Sequence, residues 1–210
     1  MAVANLQAEQ RVVLSGISWS TFQSLLADSN NRGTRFGYDE GHLEITSPSA
    51  PHERLKRLLA RMIDAMTEEL NIPIRSGGFL TLKSMAKRRG IEPDECYYVA
   101  NSRAVRGHEH IDLSIAPPPD LAVEVDISSS SLDQLKIYAS LGVPEVWLYH
   151  GVGLQVYQLR ADGTYVQQAR SPSFPFLPLD GVQRFLARRD DTDETTWIRS
   201  FRAWVKTLAR

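Results

Sequence analysis

Cysteine is almost missing from this sequence, with Cys96 the only one in 210 residues. A lone thiol excludes an internal disulfide framework and any zinc site built on cysteines. Long apolar runs are missing as well. No stretch approaches the roughly 18 consecutive apolar residues of a membrane-spanning helix. The opening residues, MAVANLQAEQRVVLSG, lack the basic-then-apolar order of a secretory signal. No membrane partner and a cytoplasmic location are therefore expected. Charge of one sign is also lacking, since 24 basic residues face 25 acidic ones for a net charge of −1. Affinity for a polyanion would have to come from local clusters. Two exist, Lys83, Lys87, Arg88 and Arg89, and Arg54, Lys56, Arg57 and Arg61. Each also reads as an ordinary solvated hairpin tip or helix face.

What is present is enough apolar material, 42% of the chain, for a substantial core. The length predicts one domain over residues 1–210, with a core of about 18–168 and a C-terminal helical extension of about 181–208. Ser18 caps a helix carrying Trp19, Phe22, Leu25 and Leu26. A hairpin follows, with strands at Arg35–Tyr38 and His42–Thr46. Leu55, Leu58, Leu59, Met62, Ile63 and Met66 form the stripe of a long helix over about His52–Leu70. His52 opens that helix, where the dipole disfavours a protonated imidazole, so a neutral ring is expected, bound to a substrate or, more simply, to a loop carbonyl. Residues 72–82 read as a strand interrupted at Gly77-Gly78, and Met85–Gly90 as a charged turn. Ser128–Ser131 is placed to cap a helix bearing Leu135, Ile137, Tyr138 and Leu141. Trp197, Phe201, Trp204 and Leu208 stripe a last helix, which faces either its own domain or a second copy in a homodimer.

The acids carry the chemistry. In PDLAVEVD, residues 119–126, an otherwise apolar strand holds Asp120, Glu124 and Asp126 at even positions, hence on one face. Carboxylates in an apolar strand need compensation, and a hard divalent cation supplies it. The bland alternatives are a turn at Asp120, a cap at Asp126 and a structural ion pair at Glu124. A second Pro-Asp precedes a β-prone run at Ile91–Val99 and places Asp94 at its mouth. Two such entries would converge their acids at one end of a sheet, with Asp94 and Glu124 as oxygen ligands for Mg²⁺ or Mn²⁺ and Asp120 or Asp126 completing the shell. His108, Glu109, His110 and Asp112 share a loop whose composition suits solvent better than a metal.

The string PPPDLAVEVDISSSSLDQLKIYASLGVPEVWLY resembles the signature of the Uma-two endonuclease-like family, within the PD-(D/E)-x-K nuclease superfamily. GHLEITSPSAPHERL and GIEPDECYYV match its other landmarks in order, so the resemblance runs from about Trp19 to at least Val166. The resemblance implies an α/β (α+β) restriction-endonuclease-like fold, a mixed central sheet flanked by helices. It also implies divalent-metal-dependent hydrolysis of nucleic-acid phosphodiesters, with DNA as the partner and Mg²⁺ or Mn²⁺ as the cofactor. Asp94 and Glu124 match the family's acids, Asp120 its second Pro-Asp, and His52 its histidine at the first long helix.

One position departs from the pattern. Many members carry a lysine four residues before the tyrosine that corresponds to Tyr138, and here that residue is Gln134. Lys136 is close in sequence but roughly 200° around a helix. Asp126 also stands where the superfamily motif has its lysine. Gln134 would then orient a water and Lys136 would be the fallback cation. The rival reading is a nuclease-fold protein that binds nucleic acid or protein without cutting.

Overall fold

The computed structural model describes residues 9–28, 33–78, 80–108, 111–126, 132–151 and 153–208. Two sheets and five helices make an α+β architecture. The smaller sheet is antiparallel throughout. It contains β1 (Gln10–Leu14), β2 (Arg35–Asp39), β3 (His42–Ser47), β5 (Leu82–Ser84) and β6 (Arg89–Ile91), in the order β1-β3-β2-β6-β5. The larger sheet contains β4 (Arg75–Ser76), β7 (Glu95–Tyr98), β8 (Leu121–Val125), β9 (Glu145–Tyr149), β10 (Leu154–Leu159) and β11 (Tyr165–Gln168), in the order β11-β10-β9-β8-β7-β4. Its β8 and β9 are parallel. Parallel neighbours require a crossover, which α3 (Gln134–Leu141) supplies.

β8 is buried along its whole length because both faces of the larger sheet are covered. Leu121, Val123 and Val125 point into a core shared with α2 (Ala50–Glu69), α4 (Leu179–Ala187) and α5 (Glu194–Leu208). The other face carries Ala122 and, by alternation, Glu124. Here Ala122 and Val146 pack with Ile137, Tyr138 and Leu141 of α3, and with Leu82 and Ile91 of the smaller sheet. α3 is thus clamped between the sheets. The stripe expected on the last helix is consumed within the chain, as Trp197, Ile198, Phe201 and Val205 are all buried. Among the described residues, no helix is long and apolar enough to cross a membrane.

Local chemistry explains most element boundaries. Ser18 caps α1 (Trp19–Ala27) by accepting from the Thr21 N–H, and Ser49 caps α2 by accepting from His52. Asp133 caps α3, while the Ser128–Ser131 cap read from the sequence lies outside the described residues. Gly142 ends α3 in the left-handed conformation that glycine adopts at least cost. The expected strand over 72–82 is two short strands in different sheets, and the charged turn hides β6. Gly90 permits β6 to close over α1, because a Cβ there would stand 2.8 Å from the Phe22 ring.

Candidate functional site

β7 and β8 run antiparallel, pairing Glu95 with Val123, Cys96 with Ala122 and Tyr97 with Leu121. Carried one residue further, this register sets Asp94 directly opposite Glu124. Opposed side chains share a face about 5 Å apart, and the Asp94 charge is felt at Glu124. Both are nearly sealed from water, Asp94 at 5% exposure and Glu124 at 6%. Tyr138 of α3 donates its hydroxyl to Glu124. Asp94 accepts from the Val125 N–H at 2.9 Å and from His52 Nε2 at 2.8 Å.

Two carboxylates this close in a dry site cannot both ionise cheaply. Burial first, and then the Asp94 charge, push the Glu124 carboxyl well above its ordinary range, against the pull of the Tyr138 hydrogen bond. Burial acts on Asp94 in the same sense. The hydrogen bond and charge of His52, the Val125 N–H and Arg35 outweigh it and hold Asp94 below its ordinary value. The pair is thus split, with Glu124 biased toward its protonated form and Asp94 toward the anion. Burial also disfavours a charged His52, but Asp94, Glu9 and Glu53 together raise its pKa above the ordinary value. The loop carbonyl expected as the partner of this ring is replaced by two carboxylates, Asp94 and Glu9. Carboxylates delivered from other elements, including Glu9 with Oε2 3.2 Å from Nδ1, outweigh a local dipole.

Ligand atoms of His52, Glu53 and Asp94 lie within 4.8 Å of one another. One imidazole nitrogen and two carboxylates make a donor set that suits a divalent cation, with the ring neutral in that role. The surrounding cleft, ≈ 480 Å³ and partly open to solvent, is lined among others by Arg35, His52, Glu92, Asp94, Glu124 and Gln134. Gln134, the first residue of α3, lines the same cleft as the acids.

Three other sequence candidates lie elsewhere. β7 and β8 run in opposite directions, so their Pro-Asp entries fall at opposite ends of the pair and do not converge. Asp120 is about 13 Å of strand away from Glu124. There it accepts from the Val99 N–H at 2.7 Å, the Asn101 N–H at 2.9 Å and Asn101 Nδ2 at 2.7 Å. It works as an anchor for the chain leaving β7. Asp120→Ala is expected to lower stability by about 3 kcal/mol, since it strands buried donors, while Mn²⁺ affinity is unchanged. Denaturant midpoints and calorimetric titration check the two halves separately. Asp126 borders an adjoining depression with Glu124 and Gln134, but its carboxylate is 3.2 Å from Arg11 Nη2. Lys136 places Nζ 2.9 Å from Asp39 Oδ2, outside the cleft. The helical offset of Lys136 from Gln134 explains that outcome.

Part of each basic cluster is partnered within the chain. Arg54 meets Asp190 and Glu194, Arg61 meets Glu194, and Arg89 meets Asp39. Of the loop group, Glu109 and His110 lie outside the described residues. Sequence reasoning missed Glu9, Arg11, Arg35, Glu44 and Glu53. Tyr138 offered a usable signal, because a buried tyrosine hydroxyl on an apolar stripe needs an acceptor.

Comparison with known proteins bears on the fold and the family. A crystal structure described as that of "a putative nuclease belonging to DUF820", from Anabaena variabilis ATCC 29413, superposes with a TM-score of 0.52 at 17% identity, covering 87% of this chain and 99% of the other. The likeness establishes a common fold, a mixed sheet with flanking helices. The Uma2 family, described as "Putative restriction endonuclease", matches residues 19–187. The chain belongs to this family, whose description is that of a nuclease. No curated protein matches the sequence.

Proposed function

We propose that this protein is a divalent-metal-dependent endonuclease that hydrolyses phosphodiester bonds in DNA. The observation that carries the reading is the buried pairing of Asp94 with Glu124 across β7 and β8. A fold with no catalytic use for them would place two buried, opposed acids here at a net cost in stability. Asp94 and Glu124 would hold the ion, with His52 and Glu53 beside them. When bound, the ion supplies polarisation of the scissile phosphate and acidification of a water. Glu124 gives up its proton to enter that role. His52 holds Asp94 as an anion and fixes its rotamer through the 2.8 Å bond. Gln134 orients the attacking water with its amide. Phe36, Val125, Leu132 and Ile137 narrow solvent access to the reacting centre.

Asp94→Asn is expected to abolish Mn²⁺-dependent nicking of supercoiled plasmid, whereas Asp191→Asn, on an exposed ion pair with Arg188, leaves it intact. Equal nicking by the Asp94→Asn protein overturns the assignment. A second reading, a family member that binds without cutting, is favoured by Gln134 where many members carry lysine. Tight Mn²⁺ binding without turnover in the unaltered protein would select it.

A further inference from the structure

We propose that Glu9 is a positioning residue for this site: held by Arg11, it fixes the His52 ring and, through that ring, the carboxylate of Asp94. This role rests on the nuclease reading and extends it to a strand outside the region that identifies the family, since Glu9 and Arg11 precede the matched residues 19–187.

β1 is not seated by its apolar side chains. Val12, Val13 and Leu14 stand 54%, 41% and 40% exposed, and Arg11 is the one residue of β1 that is not exposed. Glu9, directly before the strand, has a side chain only 3% exposed. Burying charge while leaving apolar surface in water is unfavourable unless the charges are matched, so Glu9 and Arg11 set the seat of the strand. Spaced by two, they share a face. Pairing of Arg11 with Thr46 of β3 turns that face to the cleft, which Glu9 and Arg11 both line.

From there an unbroken chain of contacts leads to Asp94. Arg11 Nε donates to Glu9 Oε1 at 2.7 Å. Glu9 Oε2 is 3.2 Å from His52 Nδ1, and His52 Nε2 is 2.8 Å from Asp94 Oδ1. Asp94 Oδ2 then accepts from the Val125 N–H at 2.9 Å. An imidazole tied at one nitrogen can still pivot about that bond, because its χ2 is a broad torsion. Tied at both nitrogens, by Glu9 and Asp94, it cannot. Arg11 also contacts Glu44 at 3.5 Å and Asp126 at 3.2 Å, which moors Glu9 to β3 and to the end of β8. Asp94 is thus located from two sides, by the neighbouring strand and by a relay from the smaller sheet. A carboxylate that must meet an ion at fixed distances gains from such support, as outer partners of metal ligands generally provide it.

The test uses the full chain carrying Glu9→Gln, with Glu68→Gln as control, an exposed acid paired with Arg202. An amide presents an acceptor oxygen at one end and an NH₂ at the other. It cannot accept from both Arg11 and His52 as Glu9 does, so one link of the relay breaks. Two readouts are taken. One is the amide-proton shift of Val125 in the metal-free protein, which reports its bond to Asp94, and the other is Mn²⁺ affinity by calorimetry. Glu9→Gln is expected to move the Val125 proton upfield and to weaken Mn²⁺ binding by about 10–100-fold. Glu68→Gln moves neither. In a His52→Ala background, Glu9→Gln is expected to add nothing to either readout, because the relay is already cut. Should Glu9→Gln fail to fold, Arg11→Lys takes its place. It keeps the charge, cannot hold three carboxylates at once, and is expected to shift both readouts in the same direction. Unchanged Mn²⁺ affinity overturns the proposal, whatever happens at Val125. Weaker Mn²⁺ binding with an unmoved Val125 proton overturns it too, as does a full-sized Glu9→Gln effect in the His52→Ala background. If the unaltered protein binds no Mn²⁺, the metal-dependent reading falls by itself. A His52-dependent shift at Val125 then still supports the relay, and an unmoved proton overturns it.

Discussion

Glu124→Gln is expected to remove Mn²⁺-dependent cleavage and, at the same time, to make the metal-free protein more stable. The loss of cleavage should exceed about 10³-fold, since even groups one step removed from a metal cost about 10–100-fold when lost. The stabilisation follows from the electrostatics of the pair. Glutamine keeps the shape of Glu124, can donate to Asp94 and can still accept from Tyr138. It carries no charge for burial to penalise. The folded Glu124 has a pKa raised above its unfolded value of 4.5. Its contribution to stability is therefore fully present below 4.5 and is lost as pH rises through the folded value. The melting temperatures of the two proteins should coincide in acid. They should separate by a few degrees as pH rises, with the glutamine variant higher. A catalytic acid held at a cost to the fold behaves in this way. A variant less stable than the parent at neutral pH would instead mark Glu124 as a structural carboxyl.

How much of this was legible in the sequence varied with the range of the interaction. Asp94 and Glu124 stood out because a charged residue in an apolar strand contradicts its surroundings locally, and the strand signals flanking each were strong. Ser18, Ser49 and Gly142 likewise carry their information within a turn of helix. Strand direction is not a local property. Nothing in the two Pro-Asp motifs says whether their strands run parallel or antiparallel, and the antiparallel pairing sends Asp120 to the far end. β6 escaped because Arg88-Arg89-Gly90 has little β-propensity. Its pairing with β2 and the seating of Phe22 over Gly90 override that weakness. The partners of the acids were harder still. Arg11 and Asp126 are 115 residues apart, and His52 and Asp94 are 42 apart. An arginine on a short strand announces no such contact, so Arg35 and Arg11 passed as ordinary polar positions. The partners of His52 escaped for the same reason, because the local rule omits Asp94 and Glu9.

Mn²⁺ affinity is expected to climb with pH by about tenfold per unit for each proton the ion displaces. In the free protein, Glu124 holds a proton because burial and the Asp94 charge raise its pKa. His52 holds one because Asp94, Glu9 and Glu53 overcome its burial. Asp94, with a lowered pKa, is already ionised and releases nothing. Binding to the Asp94–Glu124 pair alone displaces the Glu124 proton. Affinity then rises with a slope of one from the ordinary carboxylate range up to the raised Glu124 value, and flattens above it. Were His52 to swing from Asp94 onto the ion, its ring would have to be neutral. A second proton would leave, and the slope would steepen toward two in the region above 6.5. The expected outcome is one proton, because the 2.8 Å bond from Nε2 to Asp94 is the contact that keeps Asp94 anionic. Titration calorimetry in buffers of different ionisation enthalpy counts the protons directly. Affinity independent of pH, with no proton released, would exclude Glu124 from the ion's ligands and break the link between its raised pKa and catalysis.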